Sequence, residues 1–381
     1  MQNLCKNNFM DDVKRLNIRQ GSYTFAEKKD FRLESGKKLG PITLVYETYG
    51  RLNAEKTNAI LVCHALTGNA HVAGRLSGEK ASTGWWEPVI GPGKPFDTNK
   101  YFIICSNILG GCSGSTGPGS IDPRTGTPYA MNFPIITIRD MVNAQHRLII
   151  GHFGLPKLKA VVGGSIGGMQ TLEWGVRYPR LMEHLIVIST THKLSSQAIA
   201  FNKIGRHAIT IDPSWKGGSY YGTSGQIKGL GLARMVAHIT YLSEEGMQNK
   251  FGRERVSRKS MFSFQEKFQV ENYLDHQGEK FMQRFDANSY IYLSKAMDLF
   301  DLTRGFRNLD AAVKRIQAKT LFIYFSSDWL FPEYQSADLI ESFQKNKKYI
   351  LSYKIESKAG HDAFLIEHEK LNPIMQNFID V

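Results

Sequence analysis

Short apolar runs bounded by turn-forming residues recur along the chain: "SYTF", "ITLVYETYG", "AILVCHAL", "YFIICSNIL", "LKAVVGG", "HLIVIST", "TLFIYFSSD" and "KYILSYKI". Runs of this length, rich in β-branched and aromatic residues, predict strands. Between the later runs, "IRDMVNAQHRLIIGHFG", "GMQTLEWGVRYP" and "DAFLIEHEKLNPIMQNFI" carry apolar residues at helical spacing. Strands alternating with helices predict an α/β fold with a largely parallel sheet covered on both faces. From about residue 196 to 310 the alternation stops and the pattern turns helical, through "GLARMVAHITYLSEEGMQNKF", "QVENYLDHQGEKFMQRF" and "NSYIYLSKAMDLFDL". The expected organisation is a core in two parts, residues 1–195 and 311–381, interrupted by a helical cap at 196–310 that stands over the strand ends. No internal repeat or low-complexity tract is visible.

One junction carries chemistry. In "VVGGSIGGMQTLEW" a buried strand runs into a helix through Gly163-x-Ser165-x-Gly167. The glycines clear space for a sharp turn that leaves the serine strained at the carboxyl edge of the sheet, the arrangement of a nucleophile elbow. In such a fold an acid follows a later strand and a histidine follows the last one. Asp328 stands just past "TLFIYFSS", and His361 stands between "KYILSYKI" and the final helix. Ser165 needs a base to remove its proton, and His361 needs Asp328 to fix its tautomer. His64 and His71 precede the serine in the chain and are expected at the cleft mouth. A tetrahedral intermediate also needs two N–H donors, expected from Ile166, after the serine, and from Leu66 in "CHALTGNAHVAG".

Composition narrows the setting. At 381 residues with 42% hydrophobic and 22% charged residues, the chain reads as globular, and no apolar run reaches the ~18 residues of a membrane span. The first twenty residues mix charges and amides where a signal peptide needs an apolar stretch, so the expected location is cytoplasmic. The net charge of +13 comes from scattered lysines and arginines, the densest cluster being "FGRERVSRKSMF" at 251–262. Without a basic stripe interleaved with aromatics this does not point to nucleic acid. Cys5, Cys63, Cys105 and Cys112 lack zinc-site spacing and are expected as free thiols, some buried; Cys112, in a glycine-rich loop, is a candidate nucleophile by place, but no helix start or basic partner follows it, which favours packing. No metal-ligand spacing of His, Cys and Asp is present.

The quoted loops, with "GGCSGSTGPGSIDPRTG", "RFDANSYIYLSKAMDLFD", "SSDWLFP" and "GHDAFL", make the chain resemble the homoserine O-acyltransferase family of the α/β-hydrolase fold, in particular its acetyl-using branch, from about residue 20 to the end. The resemblance implies transfer of an acetyl group from acetyl-CoA to the hydroxyl of L-homoserine through an acyl-serine, in methionine biosynthesis. It implies no cofactor and no metal, and a homodimer formed through the helical cap. It places Arg234 on the homoserine carboxylate and Asp362 beside the catalytic histidine, where a carboxylate can take the ammonium. By the residues alone Arg234 would be an exposed helix position and Asp362 a helix N-cap. Succinyl-using relatives carry an arginine two residues after the catalytic acid. Here that residue is Leu330, between Trp329 and Phe331, which predicts acetyl over succinyl. The alternatives are a homoserine O-succinyltransferase, or an esterase or other serine hydrolase of the same fold, since water can replace the alcohol.

Overall fold

The computed structural model describes residues 15–75, 82–257, 262–264 and 266–381. Cys5 and part of the basic cluster at 251–262 lie outside these residues. Eight strands form one sheet: β1 (Arg19–Phe25), β2 (Ile42–Tyr49), β3 (Ala59–Cys63), β4 (Phe102–Ser106), β5 (Leu158–Gly164), β6 (Met182–Ile188), β7 (Lys319–Phe325) and β8 (Ile350–Ile355). Their spatial order is β1-β2-β4-β3-β5-β6-β7-β8. The first two ladders are antiparallel and the remaining ones parallel.

The apolar runs of β3 to β6 have no polar face because both faces are covered. Along β3, Ile60 and Val62 enter one hydrophobic cluster while Leu61 and Cys63 enter the other, the period of two that a strand imposes. One face packs under helices α1 (Ile138–His146) and α2 (Ile166–Arg177) and the other under the C-terminal helices, which hold Leu371, Met375 and Phe378. The C-terminal segment, one helix by its pattern, is broken into Ala363–Ile366 and His368–Ile379 at Glu367.

Between β6 and β7 the chain is helical: α3 (Ser196–Thr210), α4 (Lys228–Tyr241), α5 (Glu244–Phe251), α6 (Gln269–Met282) and α7 (Ala287–Asp298). Helix α3 is absent from the helices read in the sequence. The stretch read as one helix from 231 to 251 is two, because Ser243 caps α5 by accepting a hydrogen bond from the Gly246 N–H, and Glu244 and Glu245 favour a new N-terminus there.

Parallel strands send all their C-terminal loops to one edge. The chain leaves β3 for β4 on one side and returns to β5 on the other, and at such a switch point the flanking loops open a crevice. Leu66 follows β3 and Ser165 follows its neighbour β5; Asp328 and His361 follow β7 and β8 on the same edge.

Candidate active site

The turn after β5 is as tight as its glycines require. A Cβ on Gly167 would fall on the Cys63 carbonyl, and one on Gly163 on the backbone of Gly167. Ser165 sits at φ 59°, ψ −126°, a conformation a side chain rarely tolerates. It is pinned there from several sides. Its N–H donates to the carbonyls of Ile188 and Ser189 at 3.1 and 3.2 Å, and its own carbonyl accepts from Thr190 Oγ1 at 2.8 Å. The hydroxyl has no hydrogen-bond partner among the described residues.

Asp328 and His361 form a buried pair, Nδ1 to Oδ2 at 2.8 Å. The other carboxylate oxygen of Asp328 accepts from the N–H groups of Leu330 and Phe331 at 3.1 and 3.0 Å, so the acid is fully engaged. Burial opposes a charged imidazole at His361, but the charge and hydrogen bond of Asp328, aided by Asp362, outweigh it and raise the pKa above the ordinary value. Phe331, Phe364 and Tyr241 pack around the ring. Gly360, at φ 69°, lets this loop touch the break between α4 and α5: a Cβ there would strike the Ser243 N–H and the Tyr241 carbonyl. Ser243 Oγ also donates to the Lys358 carbonyl, and the Trp329 indole donates to the Leu242 carbonyl at 2.9 Å.

The N–H groups of Leu66 and Ile166 find no acceptor among the described residues. Leu66 is held by a residue whose expected place was wrong. His64 does not line the cleft mouth; it is buried, its Nδ1–H donating to the Ala65 carbonyl at 2.8 Å and its Nε2 accepting from the Ile108 N–H at 3.2 Å. Burial pushes its pKa down to about 4, against the contact with Ala65. The ring is therefore neutral with a fixed tautomer. Because a peptide is planar and trans, gripping the Ala65 carbonyl also fixes the direction of the Leu66 N–H. His71 is likewise buried, paired with Glu47 Oε2 at 3.0 Å.

Ser165, Leu66, Ala237, Tyr241, Leu330 and Phe331 line one small cavity of about 40 Å³. Of the three residues after Asp328, Leu330 and Phe331 line it and Trp329 does not. Trp329 turns away to the α4 terminus and the edge of Phe201, because its N–H needs the Leu242 carbonyl. Tyr241 and Ala237 escaped the sequence reading, although they lie seven and three residues from Arg234 on α4, the spacing of one helix face.

Arg234 is half-buried, its guanidinium 5.4 Å from the Tyr241 ring centroid. Asp362 stands at the N-cap position of Ala363–Ile366 without making the capping bond. Among the described residues its carboxylate has neither a hydrogen bond nor an ion pair. Burial raises its pKa, while His361, Arg234 and, more weakly, Lys250 pull the other way. Cys112 is half-buried, and desolvation pushes its thiol up to about 11. No described helix is long and apolar enough to cross a membrane.

Comparison with known proteins fits this geometry. Residues 58–367 match the family model of the alpha/beta hydrolase fold. The chain is 50% identical to homoserine O-acetyltransferase of Carboxydothermus hydrogenoformans over 92% of its length and 93% of that protein's. It is 51% identical to the enzyme of the same name from Deferribacter desulfuricans, over 92% and 93%. Among solved structures, homoserine O-acetyltransferase from Bacillus anthracis superposes with a TM-score of 0.89 at 32% identity, covering 96% of this chain and 98% of that one. Esterase E22 superposes with a TM-score of 0.86 at 28% identity, covering 95% and 100%.

Proposed function

The chain belongs to the homoserine O-acetyltransferase family of the α/β-hydrolase fold, and from that premise we propose that it moves the acetyl group of acetyl-CoA onto the hydroxyl of L-homoserine by a ping-pong route through acetyl-Ser165, the acetylating step of methionine biosynthesis. The observation that carries this reading is the buried Asp328–His361 pair on the same sheet edge as the strained serine. His361 Nε2 takes the Ser165 proton as Oγ attacks the thioester carbonyl, and the C–S bond breaks as CoA leaves with a proton from the imidazolium. The N–H groups of Leu66 and Ile166 receive the oxyanion. The acceptor hydroxyl then gives its proton to His361 and attacks the acyl-serine, restoring Ser165. The hydrogen bond between Ser165 and His361 forms with substrate bound, as it commonly does in enzymes whose free state leaves it long. All of this chemistry comes from side chains and backbone amides, without metal or cofactor.

Transfer in place of hydrolysis requires a seat for the amino alcohol. Arg234 offers a cation for its carboxylate, and Asp362 an unengaged carboxylate for its ammonium. The apolar wall at Leu330 favours acetyl over succinyl, whose distal carboxylate would lose water without gaining a partner. The helices between β6 and β7 act as a cap over this cleft and form the contact of a homodimer. Mass spectrometry after acetyl-CoA alone tests the central step: one acetyl adduct on the Ser165 peptide, absent in Ser165→Ala, is expected. Normal turnover by that variant refutes the covalent route. The likeness to esterase E22 keeps hydrolysis as the second reading. Release of CoA thiol at one rate with and without homoserine would establish it.

A further inference from the structure

Two guanidiniums meet at this site. Arg234 lies 4.9 Å from the centroid of the Phe281 ring, and Arg284, two residues past the end of α6, lies 5.3 Å from the same centroid. Both reach one residue of the loop after β3. Arg284 Nη1 donates to the Thr67 carbonyl at 3.1 Å, and Arg234 Nη1 to Thr67 Oγ1 at 3.4 Å. Among the described residues neither has a carboxylate within ion-pair distance. Asp286, the acid nearest to Arg284 in the chain, is taken up by Tyr220, Tyr221 and the N–H of Ser289. Arg284 is exposed at its rim, and partial desolvation of its guanidinium together with the charge of Arg234 lowers its pKa. Like charges held side by side by an aromatic ring and a shared threonine make a seat for an anion.

The position says which anion. Thr67, which both arginines touch, directly follows Leu66, whose N–H is proposed to receive the oxyanion, so the seat adjoins the oxyanion loop. The carboxylate of a short amino alcohol reaches that far. The phosphates of CoA lie at the end of a long pantetheine arm and do not. We propose that Arg284 is the second half of the acceptor's carboxylate clamp, the carboxylate lying between Arg234 and Arg284 while the ammonium turns to Asp362. This rests on the acceptor proposed above and adds a residue to it. Two forks on one carboxylate leave no oxygen lone pair idle, so the clamp selects α-amino acids over amino alcohols without the acid group.

Single-turnover kinetics on the full chain test this. Acetylated wild-type enzyme is chased with L-homoserine or with (S)-2-amino-1,4-butanediol, in which a hydroxymethyl group replaces the carboxylate. In Arg284→Gln the homoserine concentration for half-maximal deacylation should rise about 10- to 100-fold, on the scale of a lost charge-assisted contact. The preference for homoserine over the diol should collapse by the same factor, with Arg284→Lys in between. Acylation by acetyl-CoA should keep its rate. If Arg284 is only a strut for the loop, acylation slows with acetyl-CoA and with S-acetyl-N-acetylcysteamine alike while the preference stays, and the proposal falls. If it serves CoA phosphates, only acetyl-CoA acylation slows, and the proposal also falls. Failure of the wild type to acylate or to transfer to homoserine would instead refute the function itself.

Discussion

The polar groups that set the geometry of the sheet edge and the arginine that faces it from the helical insertion are partnered in opposite ways. On the sheet edge the polar groups that set the geometry are already paired: Asp328 holds His361 and two backbone N–H groups, His64 holds Ala65 and Ile108, and Thr190 holds the Ser165 carbonyl. On the insertion Arg234 has only a weak contact with Thr67 and aromatic faces beside it. On the proposed reaction the difference matches the work. Groups that must stabilise a transition state are set in advance, where they need no reorganisation. Groups that must tell one substrate from another are left open, so that binding satisfies them.

The comparison breaks most severely at the paired end. Asp328→Asn should lower acylation by acetyl-CoA by about 10⁴, because an amide favours the wrong tautomer of the base. The pH profile of acylation carries a second signature. His361 must be neutral to act, and its pKa is raised, so the wild-type rate should climb with pH through a midpoint above the ordinary imidazole value. In the residual activity of the variant that midpoint should fall. An unmoved midpoint would show that Asp328 does not set the charge of the base.

At the open end, Arg234→Ala should leave acylation near the wild-type rate while weakening transfer to homoserine by about 2–5 kcal/mol, the range for removing one partner of a buried charge pair. Equal losses in both half-reactions would place Arg234 with the preset groups.

Between these lies the loop held by His64, whose pairing has a stability signature. The unfolded ring takes a proton near 6.5 and the folded ring only near 4, so the unfolded state binds more protons in this window and stability falls as the pH drops. This ring alone should remove roughly 3 kcal/mol between those values. Urea unfolding at pH 7 and pH 4.5 should show a smaller loss in His64→Asn, which keeps a donor at the Nδ1 position. An identical loss in both proteins would assign the acid sensitivity elsewhere, His238 being buried and depressed to about 3.

The smallest effect is expected at Leu330. Leu330→Arg should narrow the preference for acetyl-CoA over succinyl-CoA by about tenfold, or ~1.4 kcal/mol, measured as thiol release from each donor. Faster release from succinyl-CoA by the unaltered protein would overturn the donor assignment and leave the triad untouched.

What could be read in the sequence follows the same division. Ser165 announces itself because a turn this tight admits only glycine around it, and Asp328 and His361 follow from chain order on a parallel sheet. These are local or topological facts. Arg234 is different: by itself it is one more cation on an amphipathic helix, and only resemblance to a family singles it out. Its meaning depends on Phe281 from another helix and Thr67 from a loop more than 160 residues earlier, a meeting that no periodicity encodes. The same holds for His64, whose burial follows from how the loop folds back onto Ile108. The split at Ser243 was written locally, as a cap residue before two glutamates, but the apolar pattern runs through it and masks it.

The backbone contact between Gly360 and the Tyr241–Ser243 junction bears on how this protein can be re-engineered or recombined. An insertion joined to its host at two points invites exchange as a cassette, with crossovers after β6 and before β7. Here the cassette's own backbone is part of the mould that shapes the histidine loop, and the Trp329 and Ser243 bonds cross the same seam. A chimera taking its helices from a distant relative would inherit a foreign mould for a native histidine. Productive exchanges should therefore carry residues 326–332 and 357–362 along with the helices, as one inherited unit.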